Sequence, residues 1–328
     1  MLTTLRLRFL RRLLIAPALV LVAFLPTRQP ILMWPSQEPV PSLWEEPVDP
    51  ASANLLDGPW GRDQAPDPDA TFTFLPPKPH GIGPGVVVMD PSGREWHVRQ
   101  PARSGAGTDG PAEVVVSRVL SAVGYHQPPV YFLPTFRMTT GTAGTAARTS
   151  AGGRFRLHIS PLMDMGPWSW QRNPFVGTQP YQALLVILRL FNCTDVKDAN
   201  NALYRVSIDD QVEHWYVVRD LAASLGDTGR AAPRSIAVER YEQSRFIAGV
   251  RNGFVEFANG SSSPALFQQR INADDVRWAG SLLARLTDRQ WRDAFRAGGY
   301  APDEADRFIR KIRVNIEEAQ GIGGPERR

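Results

Sequence analysis

The chain contains one cysteine, Cys193, so no intramolecular disulfide can form and a thiol-rich metal centre is excluded. Histidine is sparse as well. His80, His97, His126, His158 and His214 are scattered, and no two stand at the spacing of a ligand pair, which argues against a dedicated zinc enzyme. The G-x-S-x-G elbow of one large serine-hydrolase class does not occur. Internal repeats and heptad arrays are also missing, which sets solenoids and coiled coils aside. Even the basic surplus is local. The net charge of +4 is concentrated in Arg6, Arg8, Arg11, Arg12 and Arg28; without them the balance is slightly negative, and no nucleic-acid-binding face is implied.

A long apolar run is lacking too. The uncharged stretch "LLIAPALVLVAFLPT", Leu13 to Thr27, is interrupted by Pro17 and falls short of the roughly 20 residues of a membrane span. With arginines before it, the segment 1–28 reads as a signal peptide or signal anchor. An amphipathic helix lying on a membrane or packed on the domain is the alternative. The expected location is therefore exported, periplasmic or extracytoplasmic, or anchored, with membrane contact through residues 1–28.

What is present suits a globular body. A length of 328 residues, 43% hydrophobic and 21% charged, accommodates one large or two ordinary domains. Residues 29–69, including "MWPSQEPVPSLWEEPVDP", hold no sustained period and read as a Pro-rich extended linker, pinned by Trp34, Trp44 and Trp60. "ATFTFLP" (70–76) alternates like a strand. "GVVVMD" (85–90) and "REWHVRQ" (94–100) flank the turn "PSG" and predict a hairpin. In "DGPAEVVVSRVLSAVGY", Asp109 can cap a helix, Pro111 suits its first turn, Val115, Val119 and Ala122 share a face, and Gly124 ends it. "PVYFLP" and "RFRLHISPL" predict two more strands around the loop "TTGTAGTAARTSAGG". Together these form a β-rich lobe over 70–162.

The second lobe, 163–322 with a tail at 323–328, differs in character. "QPYQALLVILRLF" (179–191) is apolar on nearly every face and predicts a buried helix. The polar loop "NCTDVKDANN" follows, then "ALYRVSI" and "HWYVVRD", a second hairpin that ends at Asp220. Beyond it the pattern is mostly helical: "DVRWAGSLLARL", then "DRQWRDAFRA" capped by Thr287 and stopped by Gly298-Gly299, then "DEADRFIRKIRVNIEEA" opened by Pro302.

Asp195-x-Lys197-x-x-Asn200 has the D-x-K-x-x-N spacing of the Ser/Thr-kinase catalytic loop, and Asp220 stands at a strand end. With the order of lobes, these residues resemble the protein-kinase-like superfamily, in its atypical HipA-like, phosphatidylinositol-kinase-like and secretory-pathway branches. The resemblance implies an α+β, bilobal fold with a small β-rich N-lobe and a mainly helical C-lobe. It implies transfer of the γ-phosphoryl of ATP to a protein or small-molecule hydroxyl. By that resemblance Asp195 accepts the hydroxyl proton and Lys197 offsets charge on the moving phosphoryl. Asn200 and Asp220 hold Mg²⁺ or Mn²⁺ against ATP, Glu113 is the helix acid that pairs with a strand cation at Arg99, and "HGIGPG", with Gly83 and Gly85, covers the phosphates.

Three departures stand out. Arg99 occupies the family's Lys position, Cys193-Thr194 replaces His-Arg, and Leu221-Ala222 replaces Phe-Gly. Arginine differs from lysine in shape and hydrogen bonding at a phosphate. A pseudokinase that binds nucleotide or a partner without transferring phosphate therefore stays open, as does an envelope binding module in which Asp195 and Asn200 only shape a turn, Asp220 ends a strand and Glu113 serves the helix start.

Overall fold

Alternating apolar residues close the N-terminal half into a barrel. The computed structural model describes residues 39–76, 85–100, 110–142, 145–158, 162–208, 211–226 and 234–323. After a short strand β1 (Val40–Ser42) come β2 (Thr71–Leu75), β3 (Gly85–Met89), β4 (Glu95–Arg99), helix α1 (Pro111–Ala122), β5 (Val130–Thr139) and β6 (Arg148–His158). The barrel order is β2-β3-β4-β6-β5, closed by the parallel pair β2 and β5. Phe72, Trp96, Phe136 and Phe155 fill it edge to face, with Phe136 and Phe155 centroids 5.2 Å apart.

The expected first hairpin pairs Val87 with His97. Asp90 fixes its turn: one carboxylate oxygen accepts from Ser92 and Arg94 backbone N–H, the other from Arg94 Nε at 2.7 Å and buried Trp96 Nε1 at 3.0 Å. Burial would raise this carboxyl, but the bonds from Ser92, Trp96 and Arg94 outweigh it and bring it down to about 2. Strands β5 and β6 run further into the Gly/Thr/Ala-rich stretch than its composition implies, as far as the pair Met138 and Arg148. Backbone pairing there needs no apolar side chains, and Thr and Arg accept it.

The second half contains β7 (Met163–Asp164), α2 (Gln179–Leu190), β8 (Asn201–Ile208), β9 (Gln211–Val218), α3 (Arg234–Gln243), β10 (Ile247–Arg251), β11 (Phe254–Phe257), α4 (Ala273–Ala284), α5 (Asp288–Ala297) and α6 (Pro302–Gly321). The chain is thus α+β, β-rich first and helical later, the order of parts expected for a kinase-like fold. Helix α2 is the centre: Ala183, Leu185, Val186, Ile187 and Leu188 are fully buried. Its one charge, Arg189, is accommodated by a bond to Gly260 O at 2.6 Å and by the Phe267 ring at 4.8 Å. Both capped helices begin with a reciprocal box, Thr287 with Gln290 and Asn272 with Asp275.

Several expectations change. Residues 39–69 are part of the fold rather than a tether. Strand β1 pairs in parallel with β9, Leu43 and Leu55 are buried, Trp44 Nε1 donates to Val123 O, and Trp60 Nε1 donates to Gln127 O. Few apolar residues sufficed because each pins through a specific contact; Trp34 lies outside the described residues. Helix α1, assigned to the first lobe, has Val115, Val116, Val119 and Leu120 in the same core as α2 and the C-terminal helices. It is buried on nearly every side because β5 and β6 cover one face and α5 the other. Its expected cap, Asp109, lies outside the described residues, and Gly110 occupies the position before the helix. Finally, the hairpin of β10 and β11 interrupts the stretch expected to be mostly helical. No helix among the described residues is long and apolar enough to cross a membrane, and the segment 1–28 is not among them.

If α2 organises both halves, Ile187→Ala should cost about 2–5 kcal/mol in urea unfolding, with far-UV and tryptophan signals moving in one transition. Separate transitions for the two signals would show that the halves do not share one core.

Candidate active site

The loop 193–200 is held from three sides. Asn192, in the left-handed region at φ 54°, turns the chain out of α2, and Cys193 N–H bonds back to Leu188 O at 2.8 Å. Thr194 N–H donates to Ala223 O at 3.0 Å, Thr194 O accepts from Ser262 N–H at 2.8 Å, and the Ser262 and Ser263 hydroxyls donate to Val196 O. Asp198 accepts from Trp170 N–H at 3.0 Å. Every bond to a neighbouring segment removes freedom from the loop, so its side chains are presented on a stiff backbone.

Within it, three of the sequence-selected residues meet. Lys197 Nζ lies 2.9 Å from Asp195 Oδ2, and Asn200 Nδ2 donates to the same oxygen at 3.0 Å and to Asp195 O at 2.6 Å. Asn200 is buried, whereas Asp195 keeps 38% and Lys197 52% of their side-chain surface exposed. A half-exposed carboxylate next to an ammonium can meet an incoming hydroxyl. Asn200 O also accepts from Arg219 N–H at 3.0 Å, which fixes the loop to the residue before Asp220.

Asp220 adopts φ 58°, a conformation that Asp tolerates better than most residues, and this turn sends its carboxylate toward β6. There it meets arginines that the sequence reading did not select. Arg156 bridges Glu113 Oε1 at 2.6 Å and Asp220 Oδ1 at 2.8 Å; Arg154 Nε donates to Glu113 Oε2 at 3.0 Å and its far end lies 3.5 Å from Asp220 Oδ1. Arg99 stands 3.8 Å from that same oxygen. The helix acid Glu113 therefore pairs with Arg154 and Arg156, while Arg99 faces Asp220. Strand register places Arg99 directly opposite Arg154 on β4 and β6, so two cations share one face, and it is Arg154, beside Gly110 before the helix, that reaches Glu113.

Burial by itself would raise the Asp220 carboxyl, but Arg156 and Arg154, the Arg156 bond and Arg219 hold it well below the usual range. Burial would lower Arg156, yet Glu113 and Asp220 hold it up, while burial and its neighbour Arg156 push Arg154 down to about 10. Both arginines are charged at neutral pH. Three guanidiniums against two carboxylates leave a positive surplus in this cluster. Beside them lies a cavity of about 70 Å³ lined by His97, Arg156, Leu162, Asp164, Tyr204 and Arg219, with Arg219 bonded to Asp164 at 2.7 Å and to Tyr204 at 3.2 Å.

The remaining candidates fall elsewhere or outside. Gly85 opens β3, and a side chain there would crowd Val98 O on β4, so it serves strand packing. Gly83 and the rest of "HGIG" lie outside the described residues. The arginines had a legible signal: in "RFRLH", Phe155 and Leu157 point into the barrel, so Arg154 and Arg156 share its outer face. Alternation predicts that face as solvated; helix α1 covers it.

Stability should report this cluster. The folded Asp220 is more acidic than an unfolded Asp at about 3.9, so its contribution is present above that pH and lost as pH falls toward the folded value. Asp220→Asn should lower stability at pH 7 by roughly 1–3 kcal/mol, leaving the arginines under-compensated, and should flatten the loss of stability below about pH 4. Urea unfolding from pH 7 to pH 3 checks this, and an unchanged pH slope would contradict it.

No protein-family model matches the chain, and no curated protein matches it. Among solved structures it is similar to the Helicobacter pylori proinflammatory kinase CtkA, at 11% identity and a TM-score of 0.48, over 77% of this chain and 98% of that one.

Proposed function

We propose that the cleft is that of a kinase-like phosphotransferase, binding the phosphates of ATP and passing a phosphoryl group to a protein or small-molecule hydroxyl. What supports this reading is that Asp195, Lys197 and Asn200 meet in one loop, and that the Asn200 carbonyl bonds the backbone of Arg219, the residue before Asp220 and its three arginines. Phosphoryl transfer needs positioning and charge compensation more than covalent help. In this role Arg99 and Arg156 draw phosphate oxygens by charge and guanidinium geometry. Asp195 takes the proton of the attacking hydroxyl at Oδ1, while Lys197 and Asn200 hold its Oδ2.

The donor chemistry fits Mg²⁺ or Mn²⁺. The guanidinium contacts to Asp220 all fall on Oδ1, which leaves Oδ2, and Asn200 uses its amide nitrogen on Asp195, which leaves its oxygen. Such an ion would neutralise phosphate charge. At about 70 Å³ the adjoining cavity is smaller than the roughly 300 Å³ of a usual small-molecule site, so it does not by itself enclose a nucleoside.

A second reading, an exported or anchored pseudokinase that binds nucleotide or a partner, is favoured by one observation: Asp220 is already engaged by arginines. One experiment separates the two. ATP with Mg²⁺ or Mn²⁺ should raise the melting temperature, and labelled phosphate should move to protein or a hydroxyl acceptor. Asp195→Ala should cut transfer by about 10²-fold or more while leaving the thermal shift in place. A thermal shift without transfer would select the pseudokinase, and no shift at all would overturn both.

A further inference from the structure

Away from the cleft, three segments distant in sequence bring nitrogen and oxygen donors to one point. Glu45 follows β1, His126 follows α1, and Glu213 lies on β9. One ligand atom from each lies within 4.8 Å of the other two. We propose that Glu45, His126 and Glu213 form a binding site for a divalent transition-metal ion of the zinc type, which fastens the segment after β1 across the two lobes.

The arrangement is built rather than incidental. The His126 side chain is only 8% exposed, and its ring stacks on Trp215 at 4.2 Å and 5°. Its Nε2 faces the common point, 2.6 Å from Ser42 Oγ and 3.8 Å from Glu45 Oε1. A neutral imidazole offers a ring-nitrogen lone pair to such an ion. Glu213 is oriented from behind: Trp215 Nε1 donates to its Oε2 at 2.6 Å, which leaves Oε1 for an ion. Glu45, 66% exposed, is free to swing in as the closing ligand. Imidazole with two carboxylates suits zinc and its neighbours better than Mg²⁺, and three protein ligands leave a position for water or for Ser42.

Such a site would do structural work. Strand β1 is held to β9 by three register pairs, Val40 with Glu213 through Ser42 with Trp215. An ion joining Glu45 to His126 and Glu213 would tie that edge strand to the α1–β5 connection. The site is separate from the phosphotransferase reading, and it stands or falls without it.

The test uses the untagged full-length chain in excess Mg²⁺, titrated with ZnCl₂ by calorimetry and with CoCl₂ by visible absorption. The expected result is one ion per chain and a Co²⁺ ligand-field band. Affinity should fall by at least about tenfold in Glu45→Gln and in Glu213→Gln, a loss seen even when outer-shell partners of a metal are removed. Glu45→Gln alters an exposed side chain, so it tests the site even where His126→Gln fails to fold. Glu256→Gln, an exposed acid away from both sites, should leave Zn²⁺ affinity unchanged. No stoichiometric binding, equal affinity in Glu45→Gln, or loss of binding in Glu256→Gln would each overturn the proposal.

Discussion

Arg156 is the side chain on which the site depends. By joining Glu113 on α1 to Asp220 after β9, it connects barrel, helix and the Asp220 turn through one largely buried guanidinium. A buried ion pair is poor evidence of stability in itself, because desolvation offsets much of the attraction. Its consequence here is positional. With Arg154 and Arg99 crowded onto the same face, the arginines repel unless both acids stay in place, so α1 and the Asp220 turn have one acceptable arrangement against β6. That constraint also fixes the local field, since the positive surplus is held by packed groups.

The same rigidity appears in the packing. In a bilobal protein joined by a thin hinge, closure can be large; here α1 shares its core with α2 and the C-terminal helices. Gly298, at the end of α5, lies close enough to Pro111 and Val115 that a side chain would crowd them. The first-lobe helix is thus anchored in the second lobe, and any opening must occur where contacts are polar and local. Arg219, Asp164 and Tyr204 form such a contact beside the arginine cluster.

Much of this was legible in the residues, for identifiable reasons. Period-two alternation located the β3–β4 hairpin and the β8–β9 ladder, and the all-round apolar face of 179–191 announced α2. The spacing of Asp195, Lys197 and Asn200 pointed to a loop whose side chains do meet. What stayed hidden depends on long-range contacts. Nothing local in "RFRLH" says that α1 will cover its polar face, or that Glu113 will choose Arg154 and Arg156 over Arg99. The Pro-rich stretch 39–69 carries no period because it is pinned residue by residue, at Trp44, Leu55 and Trp60. The Ser262 and Ser263 bonds to the 193–200 loop had no motif either, since two hydroxyls in a polar loop have many possible partners.

Histidine shows the same limit from the other side. Spacing along the chain finds ligand pairs only when one helix or turn presents both. His126, Glu45 and Glu213 are brought together by β1 adding to β9 beside the end of α1, an arrangement visible only after the fold forms. The Arg156 cluster and this second cluster are built alike: each joins a segment near α1 to the β8–β9 sheet or its exit through groups that demand a counter-charge. In the first, the counter-charges are Glu113 and Asp220 within the chain. In the second, two carboxylates face an imidazole, and the proposed ion would supply the counter-charge.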